Sequence, residues 1–463
     1  MGARGETDGR RRILCAADTG RNHVNPLIAV AAELAARGVE DLWFACGDKY
    51  RAAVEAVDHA APPRFVPLCP DRPEQDPATW SDAELGRVTT SSPLRNLAAV
   101  IDLNLDFEHR RRQYLRMLEI VDAVRPTLAV VDLFSSWAID ALTMRRIPYV
   151  ALCAELASSV YFDRLPRSYP TPMSGLRREM SPAQRVHNVA FRMGRRLVGF
   201  RPGSLRGNLA FYRSRVAEGQ CNPESKLSQY ADEAIAVFSC SVFGLEYPFP
   251  RIPANLRMIG TMLGPRSESA ADRSVPADWL DLHESVVYVS FGPVMRPSAQ
   301  QVEAVVRAAR RIAPVHQVLW ELPQPLHHLL PPDLPGNLRV ESEVPSRLDT
   351  LAHPHVRVFF NHGAADCVHE GLYFGKPQLV LPFWMNDVDN AARIRDSGAG
   401  LALTRRQNTD GRLIADRLRL LLSEPSFGAH AREWQGRLRA AGGSAAAADS
   451  IVKALDRIAC NPA

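Results

Sequence analysis

The chain lacks an uncharged apolar run of 18 residues, which excludes an ordinary membrane-spanning helix. Its first residues, MGARGETDGRRR, hold none of the apolar stretch that a secretory leader needs, so residues 1–11 read as a loose tail. No CxxC pair occurs among the eight cysteines, and several of them sit inside strand-like apolar runs. That distribution reads as reduced, buried thiols in a cytoplasmic protein. One sign of charge barely exceeds the other: the formal net charge is +5, small for 463 residues, and does not indicate a nucleic-acid partner. Short repeats and low-complexity segments are missing as well. What remains, 46% hydrophobic and 23% charged residues, is the composition of a soluble globular protein long enough for two large α/β domains.

Residues 358–403, VFFNHGAADCVHEGLYFGKPQLVLPFWMNDVDNAARIRDSGAGLAL, carry the most information. The apolar run Val356, Val358, Phe359 and Phe360 ends in Asn361-His362-Gly363-Ala364-Ala365. A helical pattern follows over 366–374, then Gly375-Lys376-Pro377 and a second apolar run, Gln378 to Pro382. The order predicts strand, small-residue turn, helix, turn, strand. The first turn then lies at a strand's carboxyl end and a helix's amino end, where unpaired N–H groups and the helix dipole favour an anion. His362 in that turn adds a donor or a positive charge. In the N-terminal half, strand patterns at 12–17, 41–46, 127–131, 148–152 and 235–238 alternate with helices, the pattern of a parallel sheet covered on both faces. Gly, Pro, Ser and charges mark a linker near 262–277. The alternation restarts at Val286.

The 358–403 segment resembles the nucleotide-sugar signature of the UDP-glycosyltransferase superfamily, the GT-B-fold enzymes that move a sugar from a nucleotide diphosphate to a small acceptor. His362, Gly363, Glu370, Gly375, Pro377, Pro382, Asn390, Ala391, Gly398 and Gly400 fall in register with that signature. The start, RRILCAADTGRNHVNPLIAVAAELAARGVEDLWFAC, is similar to the family's first strand, turn and helix, with His23 in an Asn-His-x-Asn-Pro position. RPTLAVVDLFSSWAIDALTMRRIPYVAL resembles its acceptor-domain strand, with Asp132 at the end, and SVVYVSFGPVMRPSAQQVEAV the opening of its donor domain. The resemblance implies two Rossmann-like domains facing a central cleft: an acceptor-binding domain over 12–261, a nucleotide-sugar domain over 278–443, and a C-terminal helix within 444–463 crossing back onto the first. Open α/β sheets bind ligands at their strands' carboxyl ends, here in the cleft.

His23 is the natural base, because an imidazole with an ordinary pKa of ~6.5 can be neutral near pH 7 and take a proton from an attacking hydroxyl. Asp132 would accept the other ring N–H, fixing the tautomer and stabilising the imidazolium. The competing readings are a turn histidine packed beside Pro26 and an aspartate that caps the helix before Ser135-Ser136-Trp137. On the donor side, the resemblance assigns His362 and the turn at Gly363 to the leaving diphosphate and Glu370 to the ribose. It assigns the loop at Val344 to the base, and Asn386, Asp387 and Asn390 to the sugar and its surroundings. A solvated helix glutamate is the plain alternative for Glu370, and a helix cap or surface amide the one for Asn390. Phe134, Trp137 and Phe162 are candidate acceptor contacts.

Departures from the family pattern cluster at the donor site. Pro293 replaces a hydroxyl residue after Phe291-Gly292 and has neither hydroxyl nor N–H for a phosphate. Ala364 stands at the second signature glycine, Pro345-Ser346 where Pro-Gln is usual, and Asn386-Asp387 where Asp-Gln is usual. Asp366-Cys367 replaces Asn-Ser, which sets a carboxylate beside the expected diphosphate. Two unit charges about 4 Å apart at an effective dielectric of about 20 repel by about 4 kcal/mol. Relief would have to come from rotation, a nearby arginine or an ion.

Three rivals stand beside the transferase reading. A degenerate homologue could bind a ligand or partner without transfer. A metal hydrolase could use His362, Asp366 and His369, spaced i, i+4, i+7. A sugar-nucleotide epimerase or a lipid-linked glycosyltransferase could share the same double-domain fold. Finally, residues 177–215 hold ten arginines against one acid, Glu179. Ser181-Pro182 predicts a helix start, with Val186, Val189, Ala190, Met193 and Leu197 on one stripe. Such a helix can lie on a membrane or meet an acidic acceptor. The favoured expectation is that the stripe packs inward and the arginines face water. The reading that results is a metal- and cofactor-independent, inverting hexosyltransferase, using a nucleotide sugar, most simply of UDP, and a hydrophobic small-molecule acceptor.

Overall fold

Near-continuous apolar runs such as LAVVD and VVYVS form the strands, as expected where a parallel sheet is covered on both faces. The computed structural model describes residues 11–17, 20–57, 61–70, 76–104, 106–219, 226–263, 275–404 and 406–460. Most of the expected tail, the linker between 264 and 274, and Cys221 lie outside the described residues.

The first sheet contains β1 (Arg12–Ala16), β2 (Asp41–Cys46), β3 (Arg64–Pro67), β4 (Leu128–Asp132), β5 (Tyr149–Cys153), β6 (Val237–Ser239) and β7 (Leu256–Met258), in the order β3-β2-β1-β4-β5-β6-β7. The second contains β8 (Val286–Ser290), β9 (Gln317–Glu321), β10 (Leu338–Glu341), β11 (Val356–Asn361), β12 (Gln378–Val380) and β13 (Gly400–Ala402), in the order β10-β9-β8-β11-β12-β13. Every strand pair in both sheets is parallel. Each sheet therefore reverses its winding once, between β1 and β4 and between β8 and β11. Those are the switch points at which such sheets open a ligand crevice. This is the two-domain Rossmann-like architecture that the alternation predicts.

Helices cover both faces. On one face of the first sheet, Ile13, Cys15 and Phe44 pack with the Arg21–Ala36 helix and with Ala447, Ile451 and Leu455 of the Gly443–Cys460 helix, which comes from the far end of the chain. On the other face, Leu14, Ala16 and Val131 meet Tyr114, Met117 and Trp137. The described cysteines are free thiols, five of them buried. Among the described residues no helix is long and apolar enough to cross a membrane.

The two domains are tied together across the cleft by buried polar contacts. Arg393, on the Asp387–Asp396 helix, pairs with Glu246 at 2.9 Å, and both side chains are almost fully buried. Asp389 accepts from the backbone N–H groups of Met173 and Gly175, and Tyr247 donates to Asp396. Trp80 packs edge-on to Trp384, and Arg296 pairs with Asp82. Asp82 is exposed, whereas the buried Arg393–Glu246 pair is costly to break from one side.

The 177–215 region corrects one expectation. The Pro182–Gly199 helix starts at a Ser181/Gln184 capping box, as the Ser-Pro predicts. Its stripe, however, faces out: Val186, Met193 and Leu197 are each more than 60% exposed. The inward face is polar because the 165–173 segment beneath offers carbonyl groups that need donors. Asn188 donates to Arg167 O and Tyr169 O, Arg192 to Leu165 O and Arg195 to Pro172 O.

Candidate active site

Residues at the strand ends of the first switch point build one wall. The Arg21–Ala36 helix begins just beyond β1, placing His23 in its first turn. His23 Nδ1 lies 2.9 Å from Asp132 Oδ1. Asp132 ends β4 and is 1% exposed, and its other oxygen accepts from Ser135 Oγ at 3.0 Å. The imidazole is thus held from behind by a buried carboxylate that is itself oriented, while the ring keeps some exposure. Gly20 makes room for it: a Cβ there would come within 2.9 Å of His23 Cδ2. Phe134 lies beside the imidazole, with ring centroids 5.4 Å apart.

Two residues beyond β5, Glu155 links the walls. It accepts from Asn22 Nδ2 at 2.9 Å and from Asn386 Nδ2, on the opposite domain, at 3.0 Å. Next to Asn386, Phe383, Trp384 and Met385 line an interdomain cavity of about 260 Å³ with Asn96 and Met173.

The corresponding turn of the second domain follows β11. His362 is buried, and burial pushes its pKa down to about 4. This corrects one alternative: near neutral pH His362 is an uncharged donor, not a cation. Gly363 has φ +92°, and a Cβ there would meet Val380 Cγ1 at 2.8 Å, so glycine is required. Its N–H is held by Asn361 Oδ1 at 2.8 Å. Its carbonyl accepts from Asn390 Nδ2, which places Asn390 behind the turn as a brace, 1% exposed. Ala364 has φ −58° and ψ 149°, an ordinary conformation for an L-residue, which explains how alanine fits where the family has a second glycine. No side chain caps the Ala365–Tyr373 helix that follows. Its first N–H groups keep the anion affinity of a helix amino end.

Asp366 finds its relief in Arg347, which the sequence reading missed. Arg347 Nη2 lies 2.8 Å from Asp366 Oδ2, and Nε lies 2.7 Å from Glu370 Oε2. Burial alone would raise Asp366, but the guanidinium outweighs it and holds the carboxyl at about 2. For Glu370 burial wins over the same guanidinium and the pKa rises. In the free protein Glu370 is therefore clasped by Arg347 rather than solvated. The signal in the sequence was an arginine two residues after Pro345, in the loop expected to hold the base.

Other candidates are turned elsewhere. Asp387 accepts from the N–H groups of Phe383 and Trp384 and is 4% exposed, so it shapes its own loop, while Asn386 reaches across the cleft. Val344 and Cys367 are buried in one apolar cluster with Leu351 and Phe359. Trp137 is 2% exposed within the first domain's core and backs the cleft, leaving no surface for an acceptor. Phe162 sits against the guanidinium groups of Arg192 and Arg195, in the packing of the Pro182–Gly199 helix. His369, which a metal site would need, has its ring nitrogens on Ala365 O and Ser241 Oγ. Among the described residues no three His, Cys, Asp or Glu side chains are grouped as metal ligands.

Two parallel domains with a His–Asp pair at one switch point, and a histidine and an uncapped helix end at the other, define a group-transfer enzyme of GT-B architecture. The chain belongs to the UDP-glucoronosyl and UDP-glucosyl transferase family, whose model matches residues 121–431. It is 27% identical to the 4'-demethylrebeccamycin synthase of Lentzea aerocolonigenes over 452 residues, 96% of this chain and 98% of that one. It is 26% identical to the 2-hydroxyacylsphingosine 1-beta-galactosyltransferase of Rattus norvegicus over 188 residues, 41% of this chain and 33% of that protein. Among solved structures, the glycotransferase of kitacinnamycin superposes with a TM-score of 0.67 at 19% identity, covering 96% of this chain and 98% of that one, a likeness of fold.

Proposed function

We propose that the chain catalyses inverting transfer of a hexose from a nucleotide diphosphate sugar, with UDP as the nucleotide, to a hydroxyl of a hydrophobic small molecule such as a natural product. No metal or other cofactor takes part in this scheme. The observation that carries it is the His23–Asp132 pair, 2.9 Å apart at the switch point of the first sheet. The acceptor hydroxyl gives its proton to His23 Nε2 as its oxygen bonds to the anomeric carbon. Asp132 stabilises the imidazolium that forms. The bond from that carbon to the diphosphate breaks on the opposite face, so one displacement inverts the centre.

The departing diphosphate collects charge as the bond breaks. The uncapped Ala365–Tyr373 helix end and the neutral His362 are donors suited to it. Arg347 answers the carboxylate of Asp366, which supports a working donor site. Asn386 and Glu155, rather than Asp387, are the polar groups we assign to the hexose. The apolar interdomain cavity, and the full-length similarity to a 4'-demethylrebeccamycin synthase, support a small hydrophobic acceptor. The test is a comparison of wild type and His23→Ala in two assays, calorimetric titration with UDP and sugar transfer from UDP-hexoses. Binding retained with transfer lost supports the assignment, and transfer retained overturns it.

A further inference from the structure

Among the described residues, fourteen large hydrophobic side chains are exposed; seven of them lie on two consecutive helices and an eighth, Phe200, at the junction between the two. On the Pro182–Gly199 helix, Val186, Met193 and Leu197 share one stripe with Ala190, and Phe200 continues it past the end. On the Pro202–Ala217 helix, Leu205, Leu209, Tyr212 and Val216 repeat the i, i+4, i+7, i+11 spacing. Exposure runs from 45% at Leu205 to 72% at Val186. Two full helical stripes turned to water are not the scattered single residues of an ordinary surface.

The charges beside the stripes share one sign. Arg185, Arg196, Arg206 and Arg213 are exposed, and no carboxylate among the described residues lies within ion-pair distance of them. Arg192, Arg195, Arg201 and Arg215 are different: they are tied to carbonyls, to Asp102 or to Asp140 and Glu218. The outward face therefore combines aliphatic and aromatic side chains with free guanidinium groups.

We infer that these two helices form a docking face for an anionic lipid surface. A bilayer with acidic headgroups supplies both complements, an apolar phase for the stripes and a negative potential for the arginines. A second copy of the chain fits less well, because a two-fold interface would bring the same arginines against one another. The arginines flank the stripes, so their stems can follow the apolar face while the guanidinium groups stay with the headgroups.

The test uses the full chain in co-sedimentation with phosphatidylglycerol–phosphatidylcholine vesicles and with phosphatidylcholine alone. Two surface variants accompany it, Arg185→Glu/Arg196→Glu and Met193→Ser/Leu197→Ser. None of the four residues lines the interdomain cavity beside Trp384, and thermal unfolding reports that both variants are folded. Expected is binding to the anionic vesicles only, weakened about tenfold or more by the arginine variant and by high salt, and also weakened by the apolar variant. Absence of binding to anionic vesicles at low salt overturns the inference. So does binding that the apolar variant leaves intact, which would be simple ion adsorption. A concentration-dependent dimer that both variants dissolve, without vesicle binding, overturns it in favour of a second copy.

Discussion

Replacing Arg347 by glutamine removes the charge that makes Asp366 tolerable beside the donor turn. The separation of 2.8 Å corresponds to a Coulomb attraction of about 6 kcal/mol at an effective dielectric of about 20, before desolvation is set against it. The net effect is smaller. Holding the Asp366 carboxyl at about 2 instead of 3.8 corresponds to about 2.5 kcal/mol between its two protonation states. Because its folded-state pKa is depressed, that stability is fully present above about pH 3.8 and is lost only as pH falls toward 2. Arg347→Gln also leaves Glu370 without its cation, so unfolding at pH 7 becomes easier by about 2–3 kcal/mol, the scale of stranding partly buried charged acceptors. Asp366→Asn alone has a smaller effect, and in the double variant it restores about 2 kcal/mol of the loss. The assay is chemical denaturation of the four proteins, with UDP calorimetry alongside. UDP binding falls in Arg347→Gln, where the unanswered Asp366 carboxylate lies in the first turn of the helix proposed to hold the diphosphate, and recovers in the double variant. A coupling energy below about 0.5 kcal/mol, or UDP affinity unchanged in Arg347→Gln, would refute the reasoning.

Two further outcomes concern His362 and the domain tie. Burial holds His362 at about 4 against an ordinary 6.5, so the unfolded chain binds the extra proton between those values. Its contribution is complete above about pH 6.5 and declines as pH falls toward 4, by up to about 3 kcal/mol. The difference in stability between wild type and His362→Gln should fade over that window in denaturation curves, and a difference independent of pH would contradict the burial account. Arg393→Met leaves Glu246 buried without its cation and should lower stability by about 3–5 kcal/mol, measured by denaturant unfolding. A loss under about 1 kcal/mol would show that the tie is not a buried pair in solution.

Motifs made of neighbours were legible in the sequence, and partnerships between distant residues were not. The turn from Asn361 to Ala365 could be placed because a strand, small residues and a helix follow one another within a few residues. His23 and Asp132 were paired through the family resemblance, although 109 positions separate them. Arg347 escaped notice because its partners lie 19 and 23 residues away on another helix, and its place two residues after Pro345 does not by itself say which carboxylates it meets. The stripe on the Pro182–Gly199 helix shows a different limit. Spacing states which side chains share a face but not which way that face turns, and the carbonyls of the 165–173 segment decided the direction. Trp137 illustrates the same point, since a tryptophan after a strand end can serve a ligand or fill a core.

Transfer and nucleotide binding by His23→Ala together give the most direct measurement of the central claim. The account predicts a fall in transfer turnover of about a thousandfold with an acceptor of ordinary pKa, the scale of a lost general base. UDP affinity should remain within about threefold of wild type. Turnover within about tenfold of wild type would contradict the assignment of His23 as the base. Loss of UDP binding would contradict the separation of the two walls of the cleft into acceptor and donor sides.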